Sequence, residues 1–243
     1  MSDLARQLSF HLAALRAAGV EWVPVAPPRP DDFLPPAEVE AVTTDEPAPT
    51  FDPRRQSLSL LANEVANCNK CAELFATRTQ PVFGAGPLSP EVLFLGQAPA
   101  AADDTCGEPF TGGAGQLFER ILSAMGLTRE EVYLTQTIKC RPPKDRLPTA
   151  TECDNCRAFL LKQIELVNPK FVCCLGTVAA RALLDTTKVI TELRGIVHEF
   201  AGRPVVCTLS PEYLLTNPAA KKECWEDMKL LLRTMGRPVP GAG

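Results

Sequence analysis

Four short runs constrain this chain more than any other feature: "EVLFLG", "EVYLTQ", "KFVCCLG" and "PVVCTL". Each has strand length and is apolar almost throughout, and each alternates with a segment of helical spacing. A strand that is apolar on both sides needs cover on both sides, which parallel sheets receive from their crossover helices. The expected fold is therefore α/β, a three-layer α/β/α arrangement around a central, mostly parallel four-stranded sheet. Helices are expected over 115–125, 152–167, 178–184 and 218–234. Ligands of such sheets sit at the carboxyl ends of the strands. The loops after Leu95, Thr135, Leu175 and Thr208 are therefore where chemistry is expected, and no internal repeat interrupts the pattern.

The stretch ahead of these runs differs in kind. "SDLARQLSFHLAALRAAG" reads as a helix within 1–20, with Ser2 as N-cap, Leu4, Leu8, Leu12 and Leu15 in phase, and Gly19 as its stop. From 21 to 55 the chain is acidic and rich in proline, which predicts an extended linker. The functional body is expected over 56–236, with a tail over 237–243. The amino-terminal helix and its tether suit either a docking arm for a protein partner or a plain extension.

Charge follows the same division. Residues 1–56 hold 9 acidic and 5 basic side chains, and the rest holds 20 of each. A neutral body does not single out a polyanion as partner, although "KCRPPKDR" and "AAKK" are local basic clusters. Lys139, Arg141, Lys144 and Arg146 are the candidate phosphate contacts, or a solvated loop. No apolar run approaches the roughly 20 residues that cross a bilayer, and no secretion leader is evident. A cytoplasmic, monomeric protein with no membrane association is expected.

The chain has ten cysteines. Without a secretion signal, metal ligation and buried thiols explain them better than disulfides. "CNKC" sets Cys68 and Cys71 two residues apart in a polar segment unsuited to a core. Cys140 in "KCRPP" and Cys153 and Cys156 in "ECDNC" are the partners that would close a four-sulfur cage. Cys173, Cys174 and Cys207 lie within strands and read as packing thiols. Spacing alone does not separate zinc from an iron–sulfur cluster.

The loop after the first run, "GQAPAAADDTCGEPFTGGAGQLF", is far longer than a plain strand-to-helix connection. Glycines there allow close backbone approach to a ligand. This stretch resembles the first motif of the uracil-DNA glycosylase superfamily, in the form found in its iron–sulfur type 4 enzymes. "VYLTQTIKCRPP" and "TLSPEYLL" are similar to that family's second and third motifs, and the likeness runs from Asn67 to about Asp227. It implies that Cys68, Cys71, Cys140 and Cys156 hold a 4Fe–4S cluster, with zinc the second occupant considered and Cys153 a spare thiol. It also implies a glycosylase that flips uracil, or another damaged base, out of DNA and hydrolyses its glycosidic bond.

By the same resemblance Gly96, Ala98, Phe110 and Gln136 form the base pocket, with Phe110 as its stacking platform. Leu214, or Leu215 beside it, is the wedge entering the DNA stack. Gln97, Asp103, Asp104 and Ser210 stand at the catalytic positions. Three of these residues depart from the family pattern: Gln97 replaces a glutamate, Gln136 an asparagine and Ser210 a histidine. Gln97 cannot supply charge, Gln136 is one methylene longer, and Ser210 offers one weaker hydrogen bond. Asp103 and Asp104 are left as carboxylates for water, or else as helix-capping acids. His198 reads as structural, and His11 lies in the amino-terminal helix. The expected partner is DNA, uracil-containing or single-stranded. The alternatives are a weakened or inactive DNA-binding protein that keeps fold and cluster, and a zinc-stabilised α/β protein without a nucleic-acid role.

Overall fold

The computed structural model describes residues 52–240, so the expected amino-terminal helix and most of the proline-rich segment lie outside the described residues. The first described helix, α1 (Pro53–Ala66), begins inside the stretch read as linker. Asp52 caps it by accepting from Arg54 N at 2.9 Å, and Pro53 stands where a missing N–H costs nothing. Next come α2 (Ala72–Thr77), β1 (Val92–Gly96), α3 (Ala101–Cys106), α4 (Gly112–Ala124), β2 (Tyr133–Gln136) and α5 (Ala150–Val167). The remainder is β3 (Phe171–Leu175), α6 (Thr177–Leu184), α7 (Ile190–Leu193), β4 (Val197–Phe200), β5 (Arg203–Thr208), α8 (Pro211–Thr216) and α9 (Lys221–Thr234).

All four expected strands form, but the sheet has five, in the order β2-β1-β3-β5-β4. The four-stranded expectation is corrected by β4, which joins β5 antiparallel at one edge while the other pairs are parallel. "VHEF" escaped notice because an edge strand is half solvated and carries no continuous apolar run. His198 lies on this strand, its Nε2 at 2.7 Å from Leu193 O, in a structural role.

Helices cover both faces. On one side Phe94 meets Phe118 of α4 edge-on, with ring centroids 5.0 Å apart at 75°, and Met228, Leu231 and Leu232 of α9 complete the layer. On the other, Leu93 and Leu95 pack with Leu160 and Ile164 of α5 and Ala179, Ala180 and Leu183 of α6. Cys173, Cys174 and Cys207 are fully buried within these layers, as packing thiols should be. The chain leaves β1 toward β2 on one side and later returns to β3 on the other. A crevice therefore opens at the carboxyl ends of β1 and β3. Among the described residues no helix is long and apolar enough to cross a membrane.

Phe94 bears on both the sheet and α4. Phe94→Ala is expected to cost about 3–5 kcal/mol of stability, read as a lower denaturant midpoint at unchanged slope.

Candidate active site and four-cysteine cage

Gly96 and Gln136 end their strands directly opposite each other. A β-carbon on Gly96 would stand 2.1 Å from Gln136 Oε1 and 2.6 Å from Phe110 Cζ, so only glycine lets the three meet. Gln136 is 1% exposed, and its Oε1 is buried without a hydrogen-bond partner. Leaving an acceptor so costs about 1–3 kcal/mol. An N–H donor brought by a ligand would remove that cost.

Phe110 is placed differently from an open platform. It is 2% exposed and stacks on Phe118 at 5.0 Å and 29° as part of the core. Its backbone has φ +55°, and Arg129 fixes the turn by donating to the carbonyls of Pro109 (2.5 Å) and Phe110 (3.2 Å). Sequence reasoning missed Arg129, which belongs to none of the motifs. Ala98 is half-buried nearby, against Leu74 and Ile138.

The catalytic positions are largely engaged within the protein. Gln97 Oε1 accepts from Val178 N at 3.2 Å and so caps the start of α6. Asp103 Oδ1 accepts from Thr111 N (2.8 Å) and Oγ1 (2.6 Å), and its Oδ2 from Ala100 N (3.2 Å). Both oxygens of Asp104 receive Thr79 N, at 3.0 and 2.9 Å. These two buried acids therefore hold loops together. Ser210 is buried as the N-cap of α8, its Oγ accepting from Tyr213 N at 3.4 Å. Glu212, in the first turn of α8, is exposed as a residue, and partial burial of its carboxyl raises its pKa.

Two sequence expectations change here. Leu214 is fully buried against Leu117, Cys224 and Met228, so it cannot enter DNA. Leu215 and Tyr213, on the open face of the same short helix, are 45% and 47% exposed. Lys139 is no phosphate contact either, being fully buried. Its Nζ reaches Thr135 Oγ1 (2.6 Å), Gln136 O (2.9 Å) and Gln163 Oε1 (2.6 Å). Burial pulls its pKa down to about 7, and the neighbouring Cys156 and Cys140 oppose that shift. Arg146 is committed to Glu73 and Glu152, and Arg141 to Asp145.

Cys68, Cys71, Cys140 and Cys156 do come together, around a small cavity that Leu74 and Ile138 help to line. None is in a disulfide. Arg78 Nη1 donates to Cys140 Sγ at 2.8 Å and Asn155 Nδ2 to Cys71 Sγ at 3.4 Å, contacts that favour thiolate sulfur. Burial opposes that charge and pushes Cys156 up to about 11. A bound cationic group would supply the compensation. Among the described residues no group of three or more His, Cys, Asp or Glu side chains stands in metal-holding geometry. Cys153 lines a separate cleft beside Arg157 and Arg181.

A parallel sheet with helices on both faces, a buried unpaired acceptor at a strand end and four cysteines around one cavity define an α/β protein of one recognisable class. Residues 83–229 match the model of the uracil DNA glycosylase superfamily, and the chain belongs to that superfamily. It is 35% identical over 193 residues to a type-4 uracil-DNA glycosylase of Archaeoglobus fulgidus, covering 76% of this chain and 96% of that protein. A type-4 enzyme of Thermotoga maritima is 39% identical over 166 residues, covering 68% and 86%. A type-5 uracil-DNA glycosylase of Pyrobaculum aerophilum is 32% identical over 187 residues, covering 64% and 82%.

Lys139→Met would take the Nζ donor from the Gln136 carbonyl in the interior and leave Gln163 Oε1 with Thr135 Oγ1 alone. A loss of about 3 kcal/mol is expected, measured by chemical denaturation of the purified protein.

Proposed function

We propose that the protein is a DNA glycosylase that extrudes uracil, or a chemically related damaged base, into the Gly96–Phe110–Gln136 pocket and hydrolyses its bond to deoxyribose. The observation that carries this reading is the unpaired, buried Gln136 Oε1, which lacks the N–H donor that the imide edge of uracil would bring. The two type-4 relatives covering most of the chain support it. Inside a duplex the glycosidic bond is out of reach, so the nucleotide must first leave the stack, at a cost of a few kcal/mol. Leu215 and Tyr213 are the apolar side chains positioned to fill the gap it leaves.

Bond cleavage leaves positive charge on the sugar and negative charge on the base. Ser210 Oγ and the Gln136 amide are the polar groups at the pocket able to hydrogen-bond the leaving base. Gly96 and Phe110 hold the ring in place, and a tight, dry fit strengthens each polar contact.

The cage residues fit a 4Fe–4S cluster held by Cys68, Cys71, Cys140 and Cys156. The four sulfurs line one cavity, and N–H donors are aimed at two of them, as thiolate ligands of such a cluster require. When bound, it would act as a structural staple joining the segment before α2, the loop after β2 and α5.

A second reading, a DNA-binding protein without chemistry, draws on Gln97 and on the engagement of Asp103 and Asp104. Uracil-containing single- and double-stranded oligonucleotides separate the two. Alkali-labile abasic product is expected from the wild-type protein, whereas tight, salt-sensitive binding without product favours the second reading. Leu215→Ala is expected to reduce excision from duplex far more than from single strand. For the cage, Cys140→Ser in anaerobically purified protein is expected to lose iron and visible absorption. Unchanged iron content would refute cluster ligation.

A further inference from the structure

We propose that Thr137 is a positioning residue for base excision, its hydroxyl holding the end of β1 so that Gly96 stays seated against Gln136 and Phe110. The assignment rests on the glycosylase reading above. In the sequence Thr137 is one more polar residue between Gln136 and the "KCRPP" run, and nothing there singles it out.

The two strands that carry the site part at this point. β1 ends at Gly96 and β2 at Gln136, the two residues standing side by side. The last rung of their ladder runs from Thr137 N to Gly96 O at 2.9 Å. A terminal rung has none beyond it to share the load, and strand ends open at low cost. Here the rung is doubled. Thr137 is 1% exposed, and its Oγ1 donates to the same Gly96 oxygen at 2.8 Å.

What the hydroxyl holds is a close fit. A β-carbon on Gly96 would stand 2.1 Å from Gln136 Oε1 and 2.6 Å from Phe110 Cζ, so a small movement of Gly96 alters both contacts at once. The other two members of the contact are tied from elsewhere: Lys139 Nζ holds the Gln136 carbonyl at 2.9 Å, and Arg129 Nη1 the Phe110 carbonyl at 3.2 Å. Gly96 has no side chain and the freest backbone of any residue type. It can be tied only through its main chain, and Thr137 supplies two donors to it. Both lone pairs of the Gly96 carbonyl are thereby taken. The acceptor left for a ligand at this strand end is Gln136 Oε1, buried and unpaired, which suits a base edge carrying one N–H, as the imide of uracil does.

The test compares wild type with Thr137→Val, which keeps the side-chain shape and loses the hydroxyl, and with Thr137→Ser, which keeps the hydroxyl. Uracil excision from a labelled oligonucleotide is followed in single turnover across protein concentrations, and denaturant midpoints establish that each protein is folded. Thr137→Val is expected to lower the maximal rate about tenfold while its half-saturating concentration stays within about twofold of wild type, because DNA is held mainly through its phosphates. Thr137→Ser is expected to return the maximal rate to within about twofold of wild type. Thr137→Ala, a second variant without the hydroxyl, should lose at least as much as Thr137→Val. A maximal rate unchanged in either hydroxyl-free variant, or lost in Thr137→Ser as well, would overturn the assignment while leaving the glycosylase reading intact. No product from wild type would overturn both.

Discussion

One buried amine holds the pocket and the cage in register. Lys139 leaves the strand-end loop between Gln136 and Cys140, and its Nζ finds three oxygens: Thr135 Oγ1, the Gln136 carbonyl and Gln163 Oε1. The Gln163 amide nitrogen then reaches Phe83 O at 2.8 Å and Tyr133 Oη at 3.0 Å. This closes a network across β2, α5 and the segment before β1. A fully satisfied buried network of this kind locks one arrangement, whereas a partly satisfied one costs more than an apolar core. Gln136 can keep its side-chain carbonyl unpaired because its backbone carbonyl is pinned by this amine. The buried unpaired acceptor found among the described residues therefore stands next to this network.

The cage rests on the same network from the other side. Cys140 follows Lys139 directly, and Cys156 stands on α5, the helix that also carries Gln163. Arg146 bridges Glu73 of α2 and Glu152 in the first turn of α5. That turn is closed by Thr149 and Glu152, each side chain accepting from the other's backbone N–H. These contacts bring "CNKC" to Cys140 and Cys156 across a long sequence separation.

The sequence was most legible where physics demands regularity. Strands buried on both faces are mostly apolar, so all four parallel strands could be read from composition, although β2 ends in the buried polar pair Thr135 and Gln136. The carboxyl-edge loops followed from topology. The convergence of Cys68 and Cys71 with Cys140 and Cys156 followed from motif resemblance, since spacing alone left the partners open. What could not be read depends on helix phase and burial. Leu214 and Leu215 are adjacent and chemically alike. Only the position of α8 on α4 and α9 sends the first inward and leaves the second at the surface. Lys139 looked like a phosphate contact because sequence shows a charge and not the three oxygens waiting for it. Phe110 looked like an open platform because its loop is glycine-rich, but Arg129 and Phe118 draw it inward.

The three departures from the family pattern are structurally connected. A glutamine at 97 can accept from Val178 N without placing a charge beside Gly176, whose backbone runs so close that a β-carbon there would lie 2.6 Å from Gln97 Cδ. The longer amide at 136 lies over Gly96 beside the Phe110 ring. Serine at 210 caps α8. Capping and charge placement have thus moved among residues that share one mouth. A motif comparison taken position by position counts three losses. Taken as a site, the same residues keep a buried unpaired acceptor at Gln136 and a hydroxyl at Ser210.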